Sequence, residues 1–482
     1  MSTSKFLKVT KGMREILSQR NCWRIPKSVL KLEGGEAGIL QFRDELSDLR
    51  GNVLLDESLT FPVGFFNEDL WIFLLTRVLL SLQVQVINFE EHKISGDYLE
   101  KKIGEAFRKR VEWSKESFFS IGEEEAFRCV NGIGDGLPAL AVDVFGRSAL
   151  VHLYSKHWAQ YLENISQGLL QNGWRDVKDV FLADHVRYGE GEKVPREIRA
   201  KKPHWEAKSW WIGGKESSSP PAEAKLVVKE RGRRFAVDLS KGSSAGLFLD
   251  QRDNREKVAE ILRRVQDSRR LEEKKKKQEE EVVFLNTFSF TCSFSVYASG
   301  LEGVKTVNID FSHPSLQAGR QNMLLNGVPE DQLSSSLNLP PQPLHHFLCS
   351  DVMERLVAFQ NERKAFDVVL LDPPTASRVH IRKQGRSKLH LFTVEKDYAR
   401  LVRLAAPLVK PNGYLVAFVN THSVSKDTLF QLCNQGFSLA REELKEEFED
   451  RLFLSARKKL RMRSPISIPK FICKINSSFL KR

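Results

Sequence analysis

From Val282 onward the apolar positions fall in short β-branched runs, VVFLN, VKTVNID, HHFLC, FDVVLLD and YLVAFVN, spaced by stretches of helical periodicity. Unbroken apolar runs alternating with helices predict βαβ units and a parallel sheet buried on both faces. Upstream the period changes. Leu99, Ile103, Phe107 and Val111 stand at four-residue steps within 97–115, which predicts an amphipathic helix with a basic outer face. GDGLP (Gly134–Pro138) supplies a turn ahead of ALAVDVFG and ALVHLY, a predicted hairpin meeting at Gly146-Arg147, and residues 225–239 alternate about Gly232 as a second hairpin. The section up to about Glu91 mixes short apolar runs with Gly34-Gly35 and Gly51-Asn52 turn signals, as small β-rich domains do. The predicted class is therefore α/β: a mostly parallel sheet preceded by a small β-rich domain and an α+β middle domain.

Compositional breaks set the expected limits at 1–91, 92–222, 223–442 and a basic tail 443–482. Residues 201–223, with SWWIGGKESSSPP, read as a loop or linker in which Trp210-Trp211 pack locally or, as the lesser alternative, stack on bases. The charged stretch Arg263–Glu281, which holds LEEKKKKQEEE, reads as a solvent-exposed helix extension without chemistry. Leu70–Leu82 is the most apolar run, but it is shorter than the roughly 20 residues a bilayer crossing needs and holds Arg77 at its centre. A buried helix or pair of strands is expected there.

Charge adds a partner to this picture. The 482 residues carry 75 Lys plus Arg against 62 Asp plus Glu, a net +13, which favours a polyanion such as nucleic acid. Six cysteines are scattered without a C-x-x-C pair, so neither a disulfide scaffold nor a structural zinc site is predicted, and a reducing intracellular compartment is. Cytoplasm is the expectation. Lys5, Lys8, Lys11 and Arg14 precede the first acid, Glu15, which is compatible with a transit peptide to a plastid or mitochondrion as the alternative. No metal-binding spacing and no membrane association are predicted.

In a parallel sheet, ligands bind beyond the C-terminal ends of the strands, so the residues after each apolar run carry the candidate chemistry. FSFTCSFS (Phe288–Ser295) follows the first run as a small-residue loop opening a helix, with Ser289 and Ser293 where backbone N–H groups can approach a ligand. Asp310 ends the second run, about 20 residues on, where a carboxylate accepts both hydroxyls of a ribose or else caps the helix ahead of His313-Pro314. Asp351 follows the third as an acceptor for an adenine amino group or as a helix cap. Asp372-Pro373-Pro374 follows the fourth. Two prolines remove two backbone donors and fix the chain, which suits holding a flipped planar base, a structural turn being the other option. Upstream, FLDQRDNR (Phe248–Arg255) offers Gln251 and Asn254 to a purine or ribose edge and Arg252 to a carboxylate, as the lid of a nucleoside cofactor. The first loop has no G-x-G-x-x-G, which argues against a nicotinamide dehydrogenase.

Taken in this order, GDGLPALAVDVFG, VDLSKGSSAGLFLDQRDNR, NTFSFTCSFSVYA, VNIDFS, FDVVLLDPPT and KDYARLVRLAAPLVKPNGYLVAFVN resemble the S-adenosylmethionine-dependent rRNA methyltransferase family typified by the bacterial large-subunit cytosine-5 enzyme with an N-terminal PUA domain. KGMREILSQRNCWRIPKSV is similar to the opening of that PUA domain, and the likeness spans most of residues 8 to 430. The resemblance implies a class I Rossmann-like domain, S-adenosylmethionine as cofactor and RNA, first rRNA, as partner, with a homodimer possible. It implies a PUA-like RNA-binding domain over 1–91, with an insertion near 60–86. Gln251, Arg252, Ser289, Ser293, Asp310 and Asp351 would bind the cofactor, and Asp372, Pro373 and Pro374 would face the target base. Two positions depart from the family pattern. Cys292-Ser293 replaces a glycine pair, so a Cβ is expected to crowd the methionine end of the cofactor. Thr421-His422-Ser423 replaces the Ser-Cys-Ser run whose cysteine serves cytosine methylation. These departures motivate a second expectation, an RNA-binding or ribosome-assembly factor that keeps the fold with impaired catalysis. If methylation does fall on carbon 5 of cytosine, Cys292 and Cys349 become the nucleophile candidates.

Overall fold

A computed structural model describes residues 6–8, 24–25, 38–43, 50–56, 83–88, 95–116, 124–171, 177–186, 193–201, 209–214, 224–273, 281–335, 344–374, 376–383, 386–420, 424–455 and 470–475. The chain divides into two compact units, one of residues 1–232 with 236–249, the other of 233–235 with 250–481.

The first unit holds two five-stranded sheets. Phe6–Lys8, Arg24–Ile25, Gly38–Arg43, Arg50–Asp56 and Gln83–Asn88 form one of them. Gly51-Asn52 lies inside a strand rather than at a turn, and the register against Gln83–Asn88 shifts between Asn52 and Val53. The pair thus relaxes a ladder instead of reversing the chain. Gly34-Gly35 and Leu70–Leu82 lie outside the described residues. In the second sheet, Leu140–Phe145 and Ser148–Leu153 make the hairpin expected at Gly146-Arg147. Trp210–Gly214, expected as linker, is the edge strand against Asp179–Asp184, and the Trp211 indole N–H donates to Asp179 at 3.0 Å. Helix Gly96–Glu116 buries Leu99, Ile103 and Phe107. Not all of its cations face water: Arg110 is buried and grips Asp135 of the GDGLP turn through two bonds of 2.6 Å.

In the second unit the elements run α1 (Arg252–Glu273), β1 (Val282–Thr287), α2 (Ser293–Ser299), β2 (Val304–Asp310), α3 (His313–Leu325), β3 (Leu333–Ser334), β4 (His345–Cys349), α4 (Val352–Asn361), β5 (Phe366–Leu371), β6 (Ala376–Lys383), β7 (Arg386–Thr393), α5 (Val394–Ala405), β8 (Val409–Val419), α6 (Lys426–Ser455) and β9 (Lys470–Ile475). Seven strands form one sheet in the order β3-β4-β2-β1-β5-β8-β9, every pair parallel, while β6 and β7 pair apart as an antiparallel ribbon. Within the stretch set apart by its basic composition, α6 runs on to Ser455 and β9 extends the sheet.

Alternate strand positions explain the unbroken apolar runs. Phe284, Val368, Leu370 and Val416 pack with Val258 and Leu262 of α1, whereas Leu285, Val369, Leu371 and Leu415 pack with Leu356 of α4 and Leu401 of α5. With helices on both faces, every strand residue meets a neighbour, so polar alternation disappears. Of the charged stretch 263–281, residues 274–280 lie outside the described residues; within the described end of α1, Arg269 pairs with the buried Asp367, which also receives Lys410 at 3.0 Å and the Val283 N–H at 2.8 Å. From β1 the chain builds outward through β2 and β4, then returns to lay β5 on the other side of β1. That reversal opens a crevice at the C-terminal ends of β1 and β5.

Candidate functional site

The loop leaving β1 is held in an unusual backbone. Phe288, Phe290 and Cys292 all have positive φ (53°, 47° and 56°), a conformation that costs a residue with a Cβ about 1 kcal/mol or more. Neighbouring bonds compensate. Ser289 N–H donates to Ile309 O at 3.0 Å, Phe290 N–H to the Asp310 carboxylate at 2.8 Å, Cys292 N–H to Ser289 O at 2.7 Å, and the Asn322 amide to Thr291 O at 3.1 Å. Beneath the loop, a buried polar ladder fixes the short helix α2 on the sheet. Asn286 donates to Ser295 at 2.9 Å and Asn308 at 3.1 Å, and the Ser295 hydroxyl donates to Asn308 at 2.6 Å.

Asp310 closes β2 beside this loop. Its second oxygen accepts from Ser312 N–H at 2.8 Å, so each oxygen holds one backbone donor. Burial pushes this carboxyl above its ordinary value, and the two N–H groups pull the other way. Phe311, directly after it, is 72% exposed, the largest value among the exposed large apolar side chains described. The Ser350 N–H donates to Asp310 O at 3.0 Å and the Cys349 thiol to Phe311 O at 3.4 Å, which brings the β4 end and Asp351 to the same edge. Asp351 caps α4, accepting from Glu354 N–H at 3.0 Å.

On the other side of β1, Asp372 leaves β5 with Pro373 buried and Pro374 exposed. The Gln251 amide donates to its carboxylate at 3.1 Å, and the Asn254 amide donates to the Gln251 oxygen at 2.6 Å, which sets the direction in which Gln251 presents its N–H groups. Arg255, fully buried one turn further along α1, reaches Ser293 of the loop at 3.4 Å. Burial together with the nearby Asp250 pushes the Asp372 carboxyl up from 3.8 to about 7, against the pull of Arg255. A carboxyl balanced near neutrality at a strand end is suited to taking up and releasing a proton.

The structure therefore gathers Gln251, Ser289, Ser293, Asp310, Asp351, Asp372, Pro373 and Pro374 along one edge. Arg252 begins α1 half-buried, and Arg255 of the same helix bonds Ser293. Asn254 orients Gln251, a role distinct from the purine or ribose contact expected of it. The crowding expected at Cys292 is not found, because its side chain is fully buried and directed toward α3. A Cβ on Gly319 would lie 2.4 Å from its Sγ, so that glycine makes room for the thiol. Burial raises the thiol pKa strongly, which removes Cys292 as a nucleophile candidate. Thr421-His422-Ser423 lie outside the described residues. Sequence reasoning missed Asp250, Arg255 and Phe311. The four-residue step from Gln251 to Arg255 on one helix face was the available signal for the second, and an aromatic directly after a strand-end acid was the signal for the third.

Comparison with known proteins gives this edge a context. Residues 206–452 match the sequence profile of a family described as S-adenosylmethionine-dependent methyltransferases. A relative from Shewanella amazonensis, named ribosomal RNA large subunit methyltransferase I, is 27% identical over 340 residues, 70% of each chain. A protein of the same name from Shewanella frigidimarina is 24% identical over 352 residues, 73% of each. Among solved structures, a methyltransferase crystallised with SAH superposes with a TM-score of 0.64 at 16% identity, covering 90% of both chains, and shares the fold. An S-adenosylmethionine-dependent methyltransferase from Streptococcus mutans gives 0.63 at 17%, with the same coverage.

Proposed function

The chain belongs to the S-adenosylmethionine-dependent methyltransferase family, and from that premise we propose that it transfers the methyl group to a base of structured RNA, first of all ribosomal RNA. Its cofactor is S-adenosylmethionine. The residues present fit such a group. A carboxylate has about four lone-pair sites, and the two backbone donors on Asp310 leave capacity for two ribose hydroxyls. Phe311 offers an exposed apolar face beside them for a purine. Asp351, one residue from the bond that joins β4 to Asp310, is placed for the amino edge. Ser289 and Ser293 take the methionine end, with Cys292 turned aside, and Gln251 with Arg252 stands over the opposite wall. When bound, the cofactor supplies an electrophilic methyl group on a sulfonium, so the protein's own tasks are alignment, exclusion of water and handling one proton.

Asp372 handles that proton. Pro373 and Pro374 fix its backbone, Gln251 holds one carboxylate oxygen, and Asn254 keeps Gln251 from turning its oxygen toward the acid. The Asp372–Gln251–Asn254 chain is the observation that carries the proposal, because it orients at the ligand edge a half-buried carboxyl that burial and Asp250 raise to about 7. The acceptor atom follows from what the described residues can do. Carbon 5 of cytosine, which the family resemblance implies, needs a thiolate to add to carbon 6; Cys292 is buried away from that task, and the exposed Cys349 thiol donates to Phe311 O. A base nitrogen needs only alignment and a proton acceptor, and we take nitrogen as the acceptor. A non-catalytic assembly factor loses one of its two supports once Cys292 is seen to point into the helix packing. RNA would be held through phosphate contacts by the basic chain, including the PUA-like section 1–91 and the middle section 92–222. Among the described residues no helix is long and apolar enough to cross a membrane.

Calorimetric titration tests the cofactor half. S-adenosylmethionine should bind the wild-type protein and bind Asp310→Ala at least tenfold more weakly. No heat and no thermal stabilisation at millimolar ligand would overturn the proposal.

A further inference from the structure

Between Asp372-Pro373-Pro374 and α5 the chain leaves the parallel sheet and builds the β6–β7 ribbon. Eight register pairs join the strands, from Ala376↔Thr393 at the root to Lys383↔Arg386 at the tip, and the two strands form a sheet of their own. At about 3.4 Å per residue, eight residues extend roughly 27 Å. The strands read ASRVHIRK and RSKLHLFT. They carry Arg378, Arg382, Lys383, Arg386 and Lys388, with His380 and His390, and not one acidic residue. Five cations in sixteen strand residues is a large share of a net charge of +13 spread over 482.

One register pair, Lys383↔Arg386, sets two cations opposite each other. Alternation places Arg378, His380 and Arg382 on one face, while Lys388 stands opposite Ile381, and Arg386 opposite Lys383, on the other. Like charges directly opposite across an antiparallel pair are destabilising. Phosphate groups laid along the ribbon remove that repulsion and release counterions as they bind.

Placement selects which polyanion. β6 begins four residues after Asp372, and Phe392, next to last in β7, is buried with its ring 6.4 Å from that of Phe288 in the loop after β1. The root is thus fixed between the reacting acid and the cofactor loop, and whatever the ribbon grips is adjacent to the base being modified. We propose that β6–β7 is a phosphate-binding arm that holds the sugar-phosphate backbone of the RNA flanking the target nucleotide. This assignment rests on the RNA methyltransferase function proposed above. An acidic protein or an anionic membrane has no reason to sit at the reacting carboxyl.

Full-length protein carrying R378Q, R382Q, K383Q, R386Q and K388Q tests the arm, with a lighter variant, R386Q with K388Q, confined to the tip. Each lost phosphate contact should lower the slope of log affinity against log salt by about 0.7 to 0.9. The five-site variant should lose about 3.5 to 4.5 in that slope, and its KM for large-subunit rRNA should rise at least tenfold. Its Kd for S-adenosylmethionine and its kcat at saturating RNA should stay within about threefold. The tip variant should show the same changes at about two-fifths of the size in slope, and it stands alone if the five-site protein fails to bind S-adenosylmethionine. Either variant binding the cofactor normally, with unchanged KM and salt slope for RNA, would overturn the arm. Wild-type protein that neither binds nor methylates any rRNA would instead overturn the RNA function itself, a failure visible before any substitution is made.

Discussion

Replacing Asp372 by Asn separates what the site needs for catalysis from what the fold needs for stability. The amide keeps the shape and an oxygen to accept from Gln251, but it cannot ionise. In the unfolded chain this carboxyl titrates near 3.8, and in the folded protein burial and Asp250 push it up to about 7. Across that window the folded protein holds a proton that the unfolded chain has lost, so stability falls as pH rises from about 4 to about 7. Three pH units at about 1.4 kcal/mol each give an upper limit of about 4 kcal/mol, and the partial solvent contact of Asp372 reduces it to about 2 to 3 kcal/mol. D372N escapes this loss. Urea denaturation should find the variant equal to wild type at pH 4 and more stable by about 2 to 3 kcal/mol at pH 8, while its methyl transfer drops by about 10² to 10⁴. The wild-type rate should climb with a midpoint near pH 7, and the residual rate of D372N should be flat. A variant less stable than wild type at pH 8, or one that transfers methyl groups at the wild-type rate, would refute the reasoning.

Other perturbations address separate parts of the site. Gln251→Leu removes the donor to the Asp372 carboxylate, a bond to a charged group worth about 1.5 to 3 kcal/mol, and the midpoint of the pH–rate profile should move up by about one to two units. Gly319→Ala places a Cβ against the Cys292 thiol and should cost about 1 to 3 kcal/mol in chemical denaturation. Adding Cys292→Gly should restore stability and leave methyl transfer intact, and loss of activity on removing that thiol would contradict its structural role. Asp310→Asn should weaken S-adenosylmethionine binding about tenfold while leaving the Kd for RNA unchanged, both read by titration.

The parallel sheet was legible because its strands are buried on both faces, which leaves apolar runs such as VVLL at 368–371 with no polar position to interrupt them. The strand-end acids were legible for the same reason, since Asp310 and Asp372 each follow such a run. What a linear pattern hides is direction. Cys292 was expected to face the ligand, yet only the positive φ of its backbone and the missing side chain of Gly319, 27 positions away, turn it toward α3. Arg255 and Arg252 are equivalent on charge, and helix phase alone decides that Arg255 meets Ser293. Trp210–Gly214 was mistaken for linker because its glycines and neighbouring serines resemble a loop, whereas strand pairing with Asp179–Asp184 overrides that composition.

Methyl transfer from isotopically labelled S-adenosylmethionine to unmodified large-subunit ribosomal RNA, followed by digestion and mass spectrometry of the nucleosides, tests the central claim most directly. The account predicts one labelled base, methylated on nitrogen, whose rate of formation follows the ionisation of Asp372 and falls by about 10² to 10⁴ in D372N. Label on 5-methylcytosine would contradict the nitrogen acceptor, and a protein that binds S-adenosylmethionine but leaves every RNA base unlabelled would contradict the function itself.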